Sequence, residues 1–411
     1  MKRKDILELK KRFKKDQCTF TRMCGCFVNS EKNIILQLKE TFLNLDEDDY
    51  FKYLEIAKKV LSGIVGNNIL ELTFPTTGEG MSNEQLSLFQ LKKSKLKDDD
   101  ILNNLYKSII DNFDYPENYL ILIFHDVYDV ITKTSDNLKL DESEEVYEYV
   151  LCAICPVTLS APGLSYFEDE NKIKSRLRDW IVEAPVNGFV YPAFIDRSPD
   201  VNSIMYYTKN AKDIHPELME NTLGCASKET STIQKEKFKS IVKDSIGADE
   251  DEANELYMEI QDNLNAIIEE HKSLYEDEDS DPIKLTKTDL QNVLLESGIT
   301  EENAARIERF YEESFNEDIP LVESLLDGKI LKANEQRKKE KALEKQVEFL
   351  KVKLEQVDTM ANIDGDYDIV LQVKPEKVNE IKSQIIDGQE YLVIPVNENE
   401  KATINELKTN I

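Results

Sequence analysis

Apolar positions in the first half of the chain recur with two different periods, and each period predicts one kind of element. Spacings of three and four residues predict helices over 38–62, 83–93 and 98–112. Runs rich in Tyr, Ile, Val and Phe, divided by turn residues, predict strands over 18–29, 119–124, 146–157, 180–183, 189–195 and 203–208. Because these strands follow one another without crossover helices, we expect a mostly antiparallel sheet with the N-terminal helices packed over one face. The predicted fold class is α+β.

The second half of the chain is helical and acidic, and its composition predicts the domain boundaries. Residues 249–281 hold 14 acidic residues and one basic residue, which predicts an acidic helical segment that ends in a linker at 276–282. A helical pair is expected at 288–297 and 301–315, with Thr300 as an N-cap. The predicted domains are a core at 1–230, an acidic segment at 231–281, a helical segment at 286–358 and a small module at 366–396.

Two features near the C-terminus predict interaction elements. Spacings of four and three residues predict a short coiled-coil seam at Leu343, Val347, Leu350, Leu354 and Val357. A single helix lying on the body would show the same pattern. Residues 366–396 predict a βαββ unit in which Asp387-Gly388 forms a hairpin turn. About thirty residues are few for independent stability, so we expect this unit to pack on another surface.

The N-terminal segment differs in charge from the rest of the chain. Residues 1–22 hold nine Lys or Arg and three acidic residues, a net charge of +6, whereas the whole chain carries a formal net charge of −29. Ile6, Leu9 and Phe13 fall on one face of a helix. This helix could dock on the protein's own acidic surface, or its basic faces could bind RNA, a membrane surface or an acidic partner. The candidate partner-binding residues are Lys4, Lys11, Arg12 and Lys15.

Composition argues against several classes of protein. The chain has 411 residues, of which 40% are hydrophobic, enough for two or three globular cores. Its acidity argues against general DNA binding. No apolar run reaches the roughly 18 residues of a membrane-spanning helix, and the N-terminus lacks the apolar block of a secretory signal. We therefore expect a cytoplasmic protein without a membrane span.

Motifs of familiar enzymes are missing from the sequence. It has no Walker A loop, no GxGxxG motif after a strand, no HExxH and no complete nucleophile elbow. His125-Asp126 could begin a metal-hydrolase site, but the chain has only three histidines, and a strand end followed by a turn is the better interpretation. The missing motifs argue against enzyme activity, but the sequence leaves that question open.

Two cysteine pairs could together supply four thiolates to zinc, namely Cys24 with Cys26 and Cys152 with Cys155. In a strand, however, positions i and i+3 point to opposite faces, so Cys152 and Cys155 should not converge on one ion. Cytoplasmic cysteines are normally reduced. We therefore expect buried thiols, no metal and no cofactor.

Two polar loops at the edge of the predicted sheet are a candidate ligand site. Loops 133–137 and 196–200 join strand-like segments, and binding groups tend to lie on such loops. Their side chains could form a polar pocket for a phosphorylated or amide ligand, although Asp, Asn and Ser also cap their own turns. The candidate ligand-binding residues are Lys133, Asp136, Asn137, Asp196 and Arg197.

Five segments of the sequence together resemble one protein family. They are Thr21–Cys26, Tyr119–Asp129, Lys133–Asn137, Cys155–Ser160 and Ile385–Gly388. The family is bacterial, mainly from Gram-positive species, and is described as domain of unknown function 4317. The resemblance covers nearly the whole chain and implies a bacterial cytoplasmic protein, without implying an activity, a cofactor or a catalytic residue. The helix at 329–358 departs most from the family pattern.

Two hypotheses about function follow from these patterns. The first is a non-enzymatic cytoplasmic interaction protein that binds a macromolecular partner, such as the ribosome or another RNA–protein assembly, through its basic N-terminal helix. The second is an enzyme or small-ligand-binding protein that uses the polar loops 133–137 and 196–200. A deep polar pocket joining the loops would favour the second hypothesis, and a shallow surface beside a protruding basic helix would favour the first.

Overall fold

A computed structural model describes most of the chain. The described residues are 2–14, 16–75, 80–133, 139–247, 249–274, 282–316, 318–361, 373, 375–396, 403–404 and 407–408. Contacts divide the chain into two compact units, Met1–Gln336 and Arg337–Ile411.

The helices follow the predicted order in the chain. They are α1 (Arg3–Arg12), α2 (Glu47–Val60), α3 (Asn83–Lys93), α4 (Asp99–Asn112), α5 (Ser231–Ile246), α6 (Glu250–Leu274), α7 (Lys287–Glu296), α8 (Glu301–Phe315), α9 (Val322–Leu325) and α10 (Gly328–Ala361). Short 3₁₀ turns lie at Phe42–Asn44 and Pro375–Glu380, and a π-helical turn lies at Leu218–Thr222. Thr300 caps α8 as predicted, because its hydroxyl accepts from the Asn303 N–H.

The strands are concentrated between α1 and α5. They are β1 (Arg22–Val28), β2 (Ile34–Thr41), β3 (Ile69–Thr73), β4 (Asn118–Lys133), β5 (Lys139–Leu159), β6 (Leu164–Phe167), β7 (Lys172–Ser175), β8 (Trp180–Val182), β9 (Asn187–Tyr191), β10 (Ala193–Ile195), β11 (Ser198–Asp200), β12 (Ser203–Thr208), β13 (Lys382–Ile386), β14 (Gln389–Val393), β15 (Thr403–Ile404) and β16 (Leu407–Lys408). The fold is α+β, as predicted.

One eight-stranded sheet organises the first unit, in the order β2-β1-β4-β5-β9-β12-β3, with β8 paired to the end of β5. Its strand pairs are antiparallel. The predicted helix over 38–62 was wrong at its start, because residues 34–41 form the edge strand β2 against β1. Strand β3 was missed, since its five residues are too short to show a period.

Helices cover both faces of the sheet, so the expectation that they cover one face was wrong. On one face, α3 and α4 pack against side chains such as Ile121, Cys152 and Tyr206. On the other, α1 and α2 pack against neighbours such as Leu122 and Leu151. Strand alternation explains this arrangement, because residues 119–124 and 150–155 are apolar at every position and therefore require a core on each side.

Tight packing between α2 and the sheet depends on a glycine. A Cβ atom at Gly188 of β9 would collide with the carbonyl oxygen of Cys152 and would lie 3.2 Å from the Val60 methyl groups of α2. The absence of a side chain therefore lets α2 lie against β5 and β9.

A third apolar core joins the helices that follow the sheet. It spans residues 238–325 and includes Phe238, Tyr257, Leu264, Leu290 and Tyr311. Helices from both sides of the acidic run at 276–282 contribute to it, and the run itself lies almost wholly outside the described residues. The predicted boundaries near 230 and 281 stay predictions.

The second unit contains the predicted hairpin. Strands β13 and β14 pair antiparallel around Asp387 and Gly388, whose φ angles of 53° and 86° are those of a two-residue turn. The first strand of the predicted βαββ unit falls at 367–373, of which 367–372 lie outside the described residues.

Candidate functional site

Helix α1 is docked on the sheet through its apolar stripe. Ile6, Leu9 and Phe13 are at most 4% exposed and belong to the core that includes α2. The Phe13 ring packs 5.1 Å from that of Phe20, which stacks in turn on Phe124 of β4. Burial of these large apolar side chains holds the helix in place.

Polar contacts fix the same helix from its N-terminal end. Arg197 donates through Nε to Glu8 at 3.1 Å, and the Tyr128 hydroxyl donates to the same carboxylate at 2.8 Å. Lys2 lies 3.3 Å from Asp196. Asp196 and Arg197 both have positive φ, so the tight turn between β10 and β11 presents them to α1. Two residues of the predicted ligand loop therefore contact the basic helix itself.

Arg12 points inward toward a buried carboxylate. Its guanidinium lies 3.8 Å from the centre of the Tyr128 ring and bonds the Thr19 hydroxyl. Thr19 and Tyr149 each donate to Asp126 at 2.6 Å. Burial raises the pKa of Asp126, although these donors and Arg12 act in the opposite direction.

The other predicted site residues are dispersed. Lys4 and Lys11 are exposed on α1. The backbone of Lys133 pairs with Lys139 at the far end of the β4–β5 hairpin. The side chain of Lys133 and the residues Lys15, Asp136 and Asn137 lie outside the described part of the chain.

A cavity of about 630 Å³ opens beside α1, between α2 and the strands β4 and β8. We call it the lysine groove. Four lysines line it: Lys10, Lys52, Lys58 and Lys59. Its apolar lining comes from Tyr53, Ile56, Leu120, Val182 and Ala184, and its acidic groups are Asp49, Glu55 and Glu183. Glu55 lies 3.7 Å from Lys52, one of the four groove lysines, and Glu183 accepts from the Thr158 hydroxyl outside the groove.

Like charges lie close together at one end of this groove. Lys10 donates to the Ser62 hydroxyl at 2.8 Å, and Ser62 donates to the Lys58 carbonyl at 3.0 Å. Partial burial lowers the pKa of Lys10, and the charges of Lys58 and Lys59 lower it further. A bound anion would relieve this repulsion, so the arrangement can bind phosphate or carboxylate groups.

Sequence reasoning missed the contribution of α2 to this groove. Lys52 and Lys59 are seven residues apart, a spacing that puts them on one face of a helix, and Lys58 lies about 120° around the helix from Lys52. That signal could have been found. Their proximity to Lys10 could not, because it depends on how α1 and α2 dock on the same face of the sheet.

A second polar network lies on the opposite face. His125 is fully buried; its Nδ1 lies 2.7 Å from the Thr21 hydroxyl and its Nε2 lies 3.3 Å from Glu148, which also pairs with Lys93. Burial lowers the pKa of His125, so a neutral ring donates to Glu148 and accepts from Thr21. Desolvation acts to raise the pKa of Glu148, but the bonds to His125 and Lys93 outweigh it and lower that pKa.

The hydroxyl–imidazole–carboxylate order of this network resembles that of a nucleophile with its base, but strand pairing explains it more simply. The Thr21 N–H donates to the His125 carbonyl at 3.0 Å, which extends the β1–β4 ladder. His125 and its neighbour Asp126 point to opposite faces, so they do not share a site. The expectation of a strand end at this pair was wrong, since β4 continues to Lys133.

The cysteines follow the predicted alternation. Cys152 lies with Cys24 and Cys26 in the core under α3 and α4, whereas Cys155 lies in the core under α1 and α2. Burial raises the pKa of Cys26 to about 11 and that of Cys155 to about 12, which keeps both as neutral thiols. Within the described residues, no group of three or more His, Cys, Asp or Glu side chains is arranged to hold a metal ion.

Comparison with known proteins identifies the family. A family model described as Domain of unknown function (DUF4317) matches residues 1–407, and the chain belongs to this family. No curated protein and no solved structure matches the chain. Among the described residues, no helix is long and apolar enough to cross a membrane.

Proposed function

We propose that this member of the DUF4317 family is a non-enzymatic interaction protein of the bacterial cytoplasm that binds single-stranded RNA through the lysine groove. An RNA–protein assembly such as the ribosome is the partner class that this chemistry fits. The proposal keeps the basic N-terminal helix as part of the interface and adds α2 to it.

The observation that carries the proposal is the convergence of four lysines on one cavity of a chain with a formal net charge of −29. The net negative charge of the chain as a whole repels polyanions, so binding requires a local cluster of cations. Partial burial lowers the pKa of Lys10 most, and the nearby charges of Lys58 and Lys59 lower it further; a bound phosphate would offset this repulsion. The groove is therefore a local site that can attract an RNA backbone.

An aromatic ring inside the groove favours RNA over an acidic peptide. Tyr53 is half-buried in the lining beside Lys52 and Ile56. Burial raises the pKa of Tyr53, and the charges of Asp49 and Glu40 act in the same direction, so the phenol stays neutral beside phosphate. Lysines that follow a backbone, together with an aromatic platform for a base, are typical of single-strand binding sites.

Docking of α1 on the sheet preorganises the cations of the groove before a ligand binds. The stripe of Ile6, Leu9 and Phe13 is buried, so Lys10 is held at the groove by the fold rather than by a mobile arm. Preorganised cations lose less conformational freedom on binding than those on a free segment.

The proposal is tested by fluorescence anisotropy with a labelled oligouridylate of about 12 nucleotides, a length within the range of single-strand sites. We expect Lys58→Glu/Lys59→Glu to weaken binding by at least about tenfold and to reduce the salt slope, which is roughly 0.7 per phosphate contact. The matched control is Lys97→Glu/Lys107→Glu, an equal charge change at exposed lysines near α4. Equal losses in both variants would mean that net charge alone drives the association.

A second arm of the experiment tests recognition of the base. Tyr53→Ala should weaken oligouridylate binding by about 1–3 kcal/mol, whereas Tyr53→Phe should retain it, because stacking needs only the ring. Duplex DNA of equal length should bind more weakly, since its bases are not available for stacking. If Tyr53→Ala binds as well as the wild type, the groove recognises anions without stacking on bases, and the argument that favours RNA over an acidic peptide fails.

A further inference from the structure

The C-terminal half of α10 carries an exposed apolar stripe. Leu343, Val347, Leu350 and Leu354 are between 51% and 68% exposed. Their spacings of four, three and four residues alternate the d and a positions of a heptad pattern, and they lie within one continuous helix of 34 residues. Exposed apolar side chains in such a row mark an interaction surface.

We infer that this stripe is the contact surface for a second copy of the chain, which it joins in a two-stranded coiled coil. The first heptad favours two strands, because β-branched Val347 occupies an a position between Leu343 and Leu350 at d positions, while Leu354 occupies the next a position. Two identical stripes can interdigitate through a two-fold axis, since such an interface is self-complementary.

The charges beside the stripe are complementary to those of a second copy. Glu344 occupies an e position. In a parallel pair, it faces Lys339 of the other copy, which occupies the preceding g position. In an antiparallel pair, it faces Lys351, which occupies another e position. Either orientation therefore places Glu344 opposite a lysine, so the flanking residues attract a second copy of the same helix.

The length of the stripe sets the strength of the association. The described apolar positions cover about two heptads, which is short for a stable coiled coil. We therefore expect a reversible equilibrium between monomer and dimer rather than an obligate dimer. This inference is independent of RNA binding, because its residues lie in α10 and the lysine groove lies between α1, α2 and the sheet.

Sedimentation velocity of the full chain over a range of protein concentrations tests the inference. The wild type should shift from monomer to dimer as concentration rises. Leu350→Asp should raise the dissociation constant by roughly a hundredfold or more, because it places two carboxylates in the seam. Phe349→Asp is the matched control: Phe349 is 60% exposed on the same helix but occupies a c position, so its variant should dimerise as the wild type does.

Charge exchange provides a second test that does not depend on core packing. Glu344→Lys should weaken the dimer in either orientation. Lys339→Glu/Glu344→Lys should restore it if the helices are parallel, and Glu344→Lys/Lys351→Glu should restore it if they are antiparallel. Circular dichroism confirms that each variant keeps its helices. A wild type that stays monomeric at every concentration, equal effects of Leu350→Asp and Phe349→Asp, or failure of both exchanges would overturn the inference.

Discussion

Helices α1 and α10 carry the same kind of apolar stripe with opposite outcomes. In α1, Ile6, Leu9 and Phe13 are at most 4% exposed, whereas in α10 the row from Leu343 to Leu354 is at least 51% exposed. Helical spacing thus predicts that a helix has an apolar face, but it does not identify the surface that covers it. That surface is supplied by the sheet in one case and, as we propose, by a second copy in the other.

The difference lies in what surrounds each stripe. The stripe of α1 meets an aromatic cluster that includes Phe20, Phe42 and Phe124. Its polar residues also find partners, as Glu8 does with Arg197 of the turn between β10 and β11. These contacts specify one position of α1 along the sheet. The stripe of α10 is flanked by lysines and glutamates, the usual neighbours of a seam between separate helices.

The largest expected effect contrasts the two stripes directly. Leu9→Ala should lower the free energy of unfolding of the sheet region by about 2–5 kcal/mol, because a fully buried leucine leaves a cavity. Leu343→Ala should change it by less than about 0.5 kcal/mol at concentrations where the chain is monomeric. Thermal unfolding of dilute protein measures both. Equal losses would show that the α10 stripe is covered within the monomer.

A smaller effect is expected at the polar contact that fixes α1. Arg197→Met should lower the free energy of unfolding by about 1–3 kcal/mol, because it removes the cation from the half-buried Glu8 carboxylate. The control is Arg309→Met, which breaks an exposed pair with Glu313 at 4.0 Å and should cost less than about 0.5 kcal/mol. Denaturant unfolding followed by tyrosine fluorescence compares the two. Equal costs would mean that the apolar stripe alone holds α1 in position.

Protonation of Asp126 should make the stability of the protein depend on pH. Burial raises its pKa above the ordinary value of 3.8, so the folded state binds this proton more tightly than the unfolded state does. The stability that Asp126 contributes is therefore greatest at low pH and falls as pH rises through its folded pKa. The melting temperature of Asp126→Asn relative to the wild type should rise between about pH 4 and about pH 8. A constant difference across this range would contradict the raised pKa.

The smallest expected effect concerns the rate at which the Cys18 thiol, next to α1, is labelled. Cys18 is half-buried, and burial raises its pKa, so a maleimide should label it slowly but before the five buried cysteines. Leu9→Ala should speed labelling of Cys18 by loosening α1. Cys225 lies in the core on the opposite face, and its labelling rate should not change. Mass spectrometry of labelled peptides measures both rates, and equal acceleration would indicate global rather than local loosening.

Sequence by itself determined the features that neighbouring residues encode. The α+β class, the bounds of α3 and α4, the Thr300 cap and the Asp387-Gly388 turn follow from period, capping and turn chemistry within a few residues. The opposite burial of Cys152 and Cys155 follows equally directly from the alternation of a strand.

Only the tertiary structure decided which distant residues meet. Residues 34–41 became a strand because β1 offered an edge, although the sequence pattern predicted a helix from residue 38 onward. Lys10 reached Lys58 and Lys59, and Arg197 reached Glu8, because α1 docks on the face of the sheet that also holds α2. Such juxtapositions depend on strand pairing and on how helices pack against the sheet, and no local period carries that information.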